Sequence, residues 1–356
     1  MRNLLGLIAF LSVISLQAQN YSIITGGSIA DAEKITKAYL APMERGLGYA
    51  GSNGIINFTT SDRKISFNIG MSITAALTPK DQRTYNINSL GLVELRASDP
   101  NNYIAQSISG SGEQIGLETN STYYRPSLVY PFYKEIPLAT FDSPSGSDLP
   151  IMPSPIFRAG IYGFGTHLNF KILPNFNTNK DARIVFYGVD FQHNLSTFIP
   201  KMKEWPVQLA FAAGYEFSHL EYFLDIKPDD SKFGIVIGDN NGPYDNQEVD
   251  LKITSIPMQL IAYHDFSGLT LYGGIGYNIT YSDVALKGNF PVYAVDPTDK
   301  FKITVNDIVN PYQYTRSYDG FRVDLGLNYQ IGFMKFMASY SFSRYQVFHM
   351  GIGVNI

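Results

Sequence analysis

The last twelve residues, Tyr345 to Ile356 (YQVFHMGIGVNI), decide the fold class of this chain. Large apolar side chains occupy every second position of the stretch, and small or polar residues mostly fill the positions between them. Because successive side chains of a β-strand point to opposite faces, this alternation predicts a strand with one apolar face. The pattern leaves two alternatives open: a soluble β-sandwich and a membrane barrel.

The same stretch resembles the C-terminal insertion signal of bacterial outer-membrane barrels. The resemblance rests on His349, Gly351, Val354 and Ile356, which match its polar, glycine and apolar positions. Ile356 stands where that signal usually ends in Phe. These four residues are therefore our predicted insertion signal, and the partner that it implies is the barrel assembly machinery.

The start of the chain has the composition of a secretory signal peptide. Arg2 precedes an almost wholly apolar run over residues 4–16, and the small Ala18 is followed by the polar Gln19. The run is shorter than the ~20 residues that a membrane-spanning helix needs. We therefore predict a signal peptide over residues 1–18 and export of the remainder.

Composition excludes several classes of function. With no cysteine in 356 residues, the exported chain has no disulfides, no thiolate chemistry and no cysteine-ligated metal. A net charge of −4 argues against a nucleic-acid partner. Tyr (25) and Phe (24) together outnumber Lys and Arg (27). Such an aromatic content suits either a sandwich core or the aromatic girdles of a membrane barrel.

Alternating segments recur along the chain and favour the barrel. They cover residues 65–74, 162–170, 185–194, 207–218, 255–263, 269–280, 321–331 and 334–342. Several reach the ~9–11 residues of a tilted transmembrane strand and exceed the ~5–6 residues common in soluble sheets. We predict an all-β, antiparallel transmembrane barrel of about 12 to 14 strands. A periplasmic β-sandwich stays the alternative, and residues 78–155 are left unassigned.

The polar faces of these segments carry charged residues that a barrel would place in a wet lumen. The candidates are Asp190, Glu216, Arg322 and Asp324, and Lys335 also lies on such a polar face. Arg322 and Asp324 share one strand face and predict an ion pair, either structural or part of a selectivity ring. Short connections and long acidic ones alternate imperfectly, as in outer-membrane barrels. The predicted long loops are residues 225–250 and 283–319.

A short helix precedes the first strand. Ser28 and Asp31 have the spacing of a capping box, and residues 29–40 carry one apolar stripe at helical spacing. We expect the helix to end at Pro42, because proline has no N–H group to continue it.

This helix suggests a division of the mature chain. We predict an N-terminal plug or hatch segment over residues 19–46 and a barrel over residues 47–356, with Ile35 and Tyr39 as the plug contacts. The alternative is that the helix lies in the periplasm, outside the lumen.

Several short motifs resemble an uncharacterised family of outer-membrane barrels from Bacteroidota. They are Ala38-Tyr-Leu-Ala-Pro42, Gly46-Leu-Gly48, Asn53-Gly54 and the segment from Tyr187 to Ser196. That family is distantly similar to FadL-type transporters of long-chain fatty acids. The resemblance implies a hatch in the lumen, a hydrophobic ligand that enters from outside, and a lateral exit through the wall. Pro257, which removes one ladder hydrogen bond, is the candidate for that exit, with a bulge or bend near a strand end as the alternative.

These observations lead to one main functional hypothesis. We predict an outer-membrane barrel for passive uptake of small, hydrophobic molecules, in contact with outer-membrane lipid. The alternative is a structural or surface-partner-binding barrel without transport. A barrel enzyme ranks last, since none of the five histidines lies in a catalytic motif. We predict no catalytic residues, no cofactor and no metal site.

Overall fold

The computed structural model describes residues 28–58, 65–127, 133–147, 151, 155–179, 182–228, 235–239 and 242–356. The predicted signal peptide, residues 1–18, lies outside the described residues. In chain order the elements are α1 (Ile29–Gly51), β1 (Ile65–Leu77), β2 (Thr84–Asn86), β3 (Leu95–Ala97), β4 (Ile104–Gln106), β5 (Gly116–Thr119), β6 (Thr122–Pro126), β7 (Tyr133–Pro137), β8 (Thr140–Asp142), β9 (Pro155–Gly163), β10 (Thr166–Asn179), β11 (Ala182–Asn194), β12 (Gln208–Leu224), β13 (Ile235–Asp239), β14 (Gln247–Phe266), β15 (Leu269–Lys287), β16 (Asn289–Val295), β17 (Lys302–Val309), β18 (Tyr312–Ile331), β19 (Met334–Phe342) and β20 (Gln346–Asn355).

The wall is a closed antiparallel barrel, as the alternation predicted. Its hydrogen-bonded order is β1-β20-β19-β18-β15-β14-β12-β11-β10-β9, and β9 pairs with β1 to close it. Within the described residues the wall has ten strands, so the predicted 12 to 14 is wrong in number. The remaining strands form small separate sheets between wall strands rather than parts of the wall.

The outward face of the wall is an apolar band. On β18 the outward residues from Phe321 to Ile331 are all large and apolar or aromatic, and Phe321 is 81% exposed. Further along the same face, the outward residues are Asp319, Ser317 and Thr315. The band therefore covers the ~9–11 residues that a tilted strand needs to cross a bilayer, and the closed wall pairs its backbone groups there.

The two ends of the barrel differ. At the short-turn end, links of two residues join β9 to β10, β14 to β15 and β18 to β19, and the chain ends there after β20. At the first of these links Phe164 and Gly165 both have positive φ, 53° and 77°, as in a tight hairpin turn. At the long-loop end lie the described parts of the connections over residues 78–154, 225–246 and 288–311. The described part of the first one, residues 78–127 and 133–147, we call the lid.

The helix α1 runs inside the barrel. Ser28 caps it, with its Oγ accepting the Asp31 N–H at 3.2 Å. The predicted end at Pro42 is wrong, because the helix continues to Gly51. Proline inside a helix costs ~3 kcal/mol, and the enclosing wall and lid supply packing that offsets this cost. The predicted boundary between plug and barrel at residue 46 therefore falls inside the helix. Among the described residues, no helix combines the length and hydropathy of a membrane span.

Candidate functional site

The candidate site is the lumen, which residues 28–58 fill along its length; we call this segment the plug. The helix starts at the long-loop end, where the Asp31 carboxylate binds backbone N–H groups of the lid. Its last turn lies in mid-lumen, where the Ser255 hydroxyl donates to the Gly48 carbonyl at 3.1 Å. The chain then continues to Phe58, whose ring centroid lies 4.2 Å from that of Tyr263, near the short-turn end.

The outer part of the lumen is apolar. Its wall comes from the long-loop ends of β12, β14, β15 and β18. The buried side chains there are Leu220, Tyr222, Leu224, Leu251, Ile253, Val284, Leu286, Tyr312 and Tyr314. The helix fills this space with Ile35, Tyr39 and Leu40, and the lid covers it with Ile87, Leu95 and Leu117. Both predicted plug residues, Ile35 and Tyr39, thus lie in the outer lumen, and the Tyr39 hydroxyl donates to the Ser145 carbonyl at 2.8 Å.

A buried carboxylate attaches the helix to the wall. Glu44 accepts hydrogen bonds from the Tyr314 hydroxyl at 3.1 Å and from the Tyr318 hydroxyl at 2.9 Å. The guanidinium of Arg316 lies 3.9 Å from the same carboxylate. A buried charge needs such partners, and these contacts hold the middle of the helix against β18.

Charged side chains from six of the ten described wall strands face the central lumen. Among the described residues this charged belt has four cations and three carboxylates, all at most 4% exposed: Arg158, Lys171, Arg322, Lys335, Asp190, Glu216 and Asp324. The sequence pointed to five of them as facing the lumen: the candidates Asp190, Glu216, Arg322 and Asp324, and Lys335. It missed Arg158 and Lys171, although Lys171 shares the inward parity of His167 and Asn169.

Six of the seven members of the belt form ion pairs, and Lys335 is the exception among the described residues. Arg322 donates to both oxygens of Asp324, at 2.9 and 2.8 Å. Lys171 contacts Glu216 and lies 3.1 Å from Asp190, and the Arg158 guanidinium lies 3.6 Å from Asp190. The ion pairs therefore form two groups, one across β9, β10, β11 and β12 and the other on β18.

The belt binds the plug through backbone oxygens. Arg322 donates to the carbonyl of Ser52 at 2.9 Å and to the Asn53 side-chain oxygen at 2.9 Å. Lys171 lies 3.4 Å from the carbonyl oxygens of Gly51 and Asn53. These cations complement the negative end of the helix dipole at Gly51. The plug is thus held by charged wall residues at positions 51–53 and, nearer the long-loop end, by apolar packing together with the Asp31 and Glu44 carboxylates.

Pro257 lies in the middle of β14, where the wall ladder is interrupted. Pairing of β12 with β14 runs through Ala213↔Met258, stops, and resumes at Glu216↔Ser255. The other edge of β14 is intact, with Pro257 opposite Asn278. The interruption is therefore not at a strand end, and a lateral exit at this position stays a prediction.

The predicted insertion signal lies on β20 and at the chain end. His349 faces the lumen, where its Nδ1 lies 2.9 Å from the Thr74 hydroxyl, and Gly351 faces inward beside it. The last residue, Ile356, is 62% exposed on the apolar side of the wall, as expected from the parity it shares with Val354. Its role in insertion stays a prediction.

A closed antiparallel barrel with an outward apolar band and an internal helix defines a plugged transmembrane β-barrel. The chain belongs to the DUF6588 family, a family of unknown function whose model matches residues 1–356. No curated protein matches the chain.

Solved structures with some likeness are barrels of low identity. The attachment invasion locus protein Ail of Yersinia pestis is 7% identical, with 82% of this chain and 97% of that chain covered and a TM-score of 0.23. The translocator domain of the autotransporter NalP from Neisseria meningitidis is 11% identical, covering 90% and 96%, with a TM-score of 0.30. The outer membrane protease OmpT from Escherichia coli is 10% identical, covering 85% and 98%, with a TM-score of 0.27. The functional argument therefore rests on the residues of this chain.

Proposed function

We propose that this protein is an outer-membrane barrel for passive uptake of small, hydrophobic molecules, with residues 28–58, which include α1, as its plug. The observation that carries the proposal is the apolar outer lumen, which the Ile35 and Tyr39 side chains fill. In outer-membrane barrels short turns face the periplasm and long loops face outward, so this apolar space would open to the outside. The predicted insertion signal and the predicted contact with outer-membrane lipid are consistent with a barrel in the outer membrane.

An apolar ligand would compete with the helix for the same wall. Small-molecule sites are concave and largely apolar, and the long-loop ends of β12, β14, β15 and β18 supply such a surface. The helix itself is held there by apolar contacts and a few polar ones, such as Glu44. Withdrawal of the outer half of α1 would therefore create the ligand site.

The charged belt would stop an apolar molecule from continuing down the axis, because the molecule would displace water from charged groups without offering them hydrogen bonds. The interrupted ladder at Pro257 lies beside Gly214, which pairs with the belt residue Asp190. This position supports the lateral exit that the resemblance to FadL-type transporters implies.

The test uses purified full-length protein and an apolar dye that fluoresces when bound. Ile35→Asp places a carboxylate in the apolar wall, a burial that costs several kcal/mol, so the helix should withdraw and dye binding should rise. Ala30→Asp puts the same side chain on the exposed face of the helix and should leave binding unchanged. Heat-dependent gel mobility verifies that each barrel is folded. Equal dye binding by folded wild type and Ile35→Asp would contradict the proposal.

A surface-partner-binding barrel is the second candidate. The observation that favours it is that the long loops contain regular secondary structure. Strands β3, β5 and β8 form one small sheet, and β13, β17 and β16 form another. Under this function the lumen stays closed in every variant, and deletions in the lid would abolish partner binding without changing dye binding. We propose no catalytic role.

A further inference from the structure

We propose that the charged belt forms an anion-selective constriction once the plug is displaced, with Lys335 as the residue that sets the selectivity. The ligand class is a small anion such as chloride or inorganic phosphate. The inference rests on the proposed function, because the plug must leave the lumen before the belt can meet a solute.

The first step is the charge balance of the belt. Asp190 and Glu216 together balance Lys171 and Arg158, and Asp324 balances Arg322. Among the described residues, no carboxylate lies within salt-bridge distance of Lys335, whose ammonium group is buried on β19. The belt thus carries one excess positive charge, located at Lys335.

The second step is what compensates this charge in the closed state. The Lys335 ammonium donates to the Asn57 side-chain oxygen and to the Phe58 carbonyl, and both oxygens belong to the plug. These are neutral dipoles, which solvate the charge without cancelling it. When the plug leaves, the buried ammonium loses both acceptors, and a buried charge without partners is strongly unfavourable.

The third step is the set of groups around Asn57. The Gln192 side-chain oxygen accepts the Asn57 N–H at 2.9 Å, and the Asn169 oxygen accepts from the Asn57 amide at 3.0 Å. In the described part of the chain, the amide nitrogens of Gln192, Asn169 and Asn68 are buried without an acceptor. The place that Asn57 vacates is therefore surrounded by one ammonium and three carboxamides that can turn their N–H groups toward an anion.

These steps define the physical basis of selectivity. A fixed positive charge in a narrow lumen with a low-dielectric wall attracts anions and repels cations. The oxygen atoms of Asn57 and Phe58 stand in for the anion while the lumen is closed. The plug and an anion thus compete for the same donors.

The experiment measures reversal potentials of full-length protein in planar bilayers across a potassium chloride gradient. Two substitutions in the plug, both at positions outside the belt, are designed to displace the plug and open the lumen. One is Ile35→Asp, and the other is Gly48→Leu, because a Cβ at Gly48 would lie 2.5 Å from the Thr280 hydroxyl oxygen. We expect both to prefer chloride over potassium by roughly threefold or more.

The deciding variants alter the belt in these opened backgrounds. Lys335→Gln should reduce the preference for chloride to about none. Lys252→Gln removes a lysine from the outer face of β14 and should change nothing. Asn57→Asp gives Lys335 a carboxylate on the plug, so it should lower the open probability.

The outcomes separate this inference from the proposed function. A preference for potassium, or equal selectivity after Lys335→Gln and Lys252→Gln, overturns the anion constriction and leaves hydrophobic uptake in place. Folded Ile35→Asp and Gly48→Leu barrels that bind dye without conducting ions have the same meaning. Absence of both dye binding and conductance overturns both.

Discussion

At the scale of single residues, Asp31 joins the plug to the lid. Its carboxylate, fully buried, accepts the backbone N–H groups of Val93 at 3.0 Å, Glu94 at 2.7 Å and Leu95 at 2.9 Å. Hydrogen bonds from backbone N–H groups to an ionised carboxylate are shorter and stronger than neutral ones. The lid and the outer end of the helix are therefore coupled, and a displacement of one should move the other.

Asp31→Asn should loosen this contact. The variant removes the charge and can turn an amide N–H group toward the donors of residues 93–95, at a cost of about 1–3 kcal/mol. Hydrogen exchange at Val93, Glu94 and Leu95 should become faster. Glu113→Gln, on an exposed part of the lid, is the matched control and should leave exchange unchanged. Equal protection in both variants would show that the carboxylate does not hold the lid.

At the scale of elements, the hairpin β6–β7 docks on the hairpin β16–β17. The Tyr124 N–H donates to the Lys300 carbonyl at 2.8 Å, and the Lys300 ammonium lies 2.6 Å from the Glu135 carboxylate. The rings of Tyr124 and Phe301 have centroids 5.1 Å apart. Two loops far apart in sequence thus form one surface at the long-loop end.

This docking should depend on pH. The hydrogen bond from Lys300, and a second one from Thr122, hold the pKa of Glu135 below its ordinary range. A lowered pKa in the folded state means that the contact contributes stability above the ordinary range and loses it as pH falls through the lowered pKa. Hydrogen exchange of the Tyr124 N–H, corrected for its intrinsic rate, should therefore quicken in acid. In Glu135→Gln this pH dependence should disappear, and an identical profile in wild type and variant would contradict the role of the pair.

At the scale of the whole molecule, alternation predicted the wall and its lumen-facing charges, but not the number of strands. Along β18 the large apolar and aromatic side chains change from one face of the strand to the other. Tyr312 and Tyr314 face inward, whereas Phe321 faces outward. The inversion occurs because the strand leaves the membrane and packs against the helix, so the outer half of the strand resembles a loop in sequence. The contact between Asn57 and Lys335 links positions 278 residues apart, and no local pattern encodes it. Pro42 likewise ends a helix in sequence, while the enclosing wall lets α1 continue.

The same architecture predicts which end of the molecule faces outward. The start of α1 lies beside the lid, and residues 195–207 connect β11 to β12 at the opposite end. The chain has no cysteine, so single cysteines can report accessibility to a maleimide that does not cross membranes. Ala30→Cys should react on intact cells, because long loops face outward, whereas Lys201→Cys should react only after the outer membrane is permeabilised. Labelling of Lys201→Cys alone on intact cells would reverse the orientation and remove the outward opening on which uptake depends.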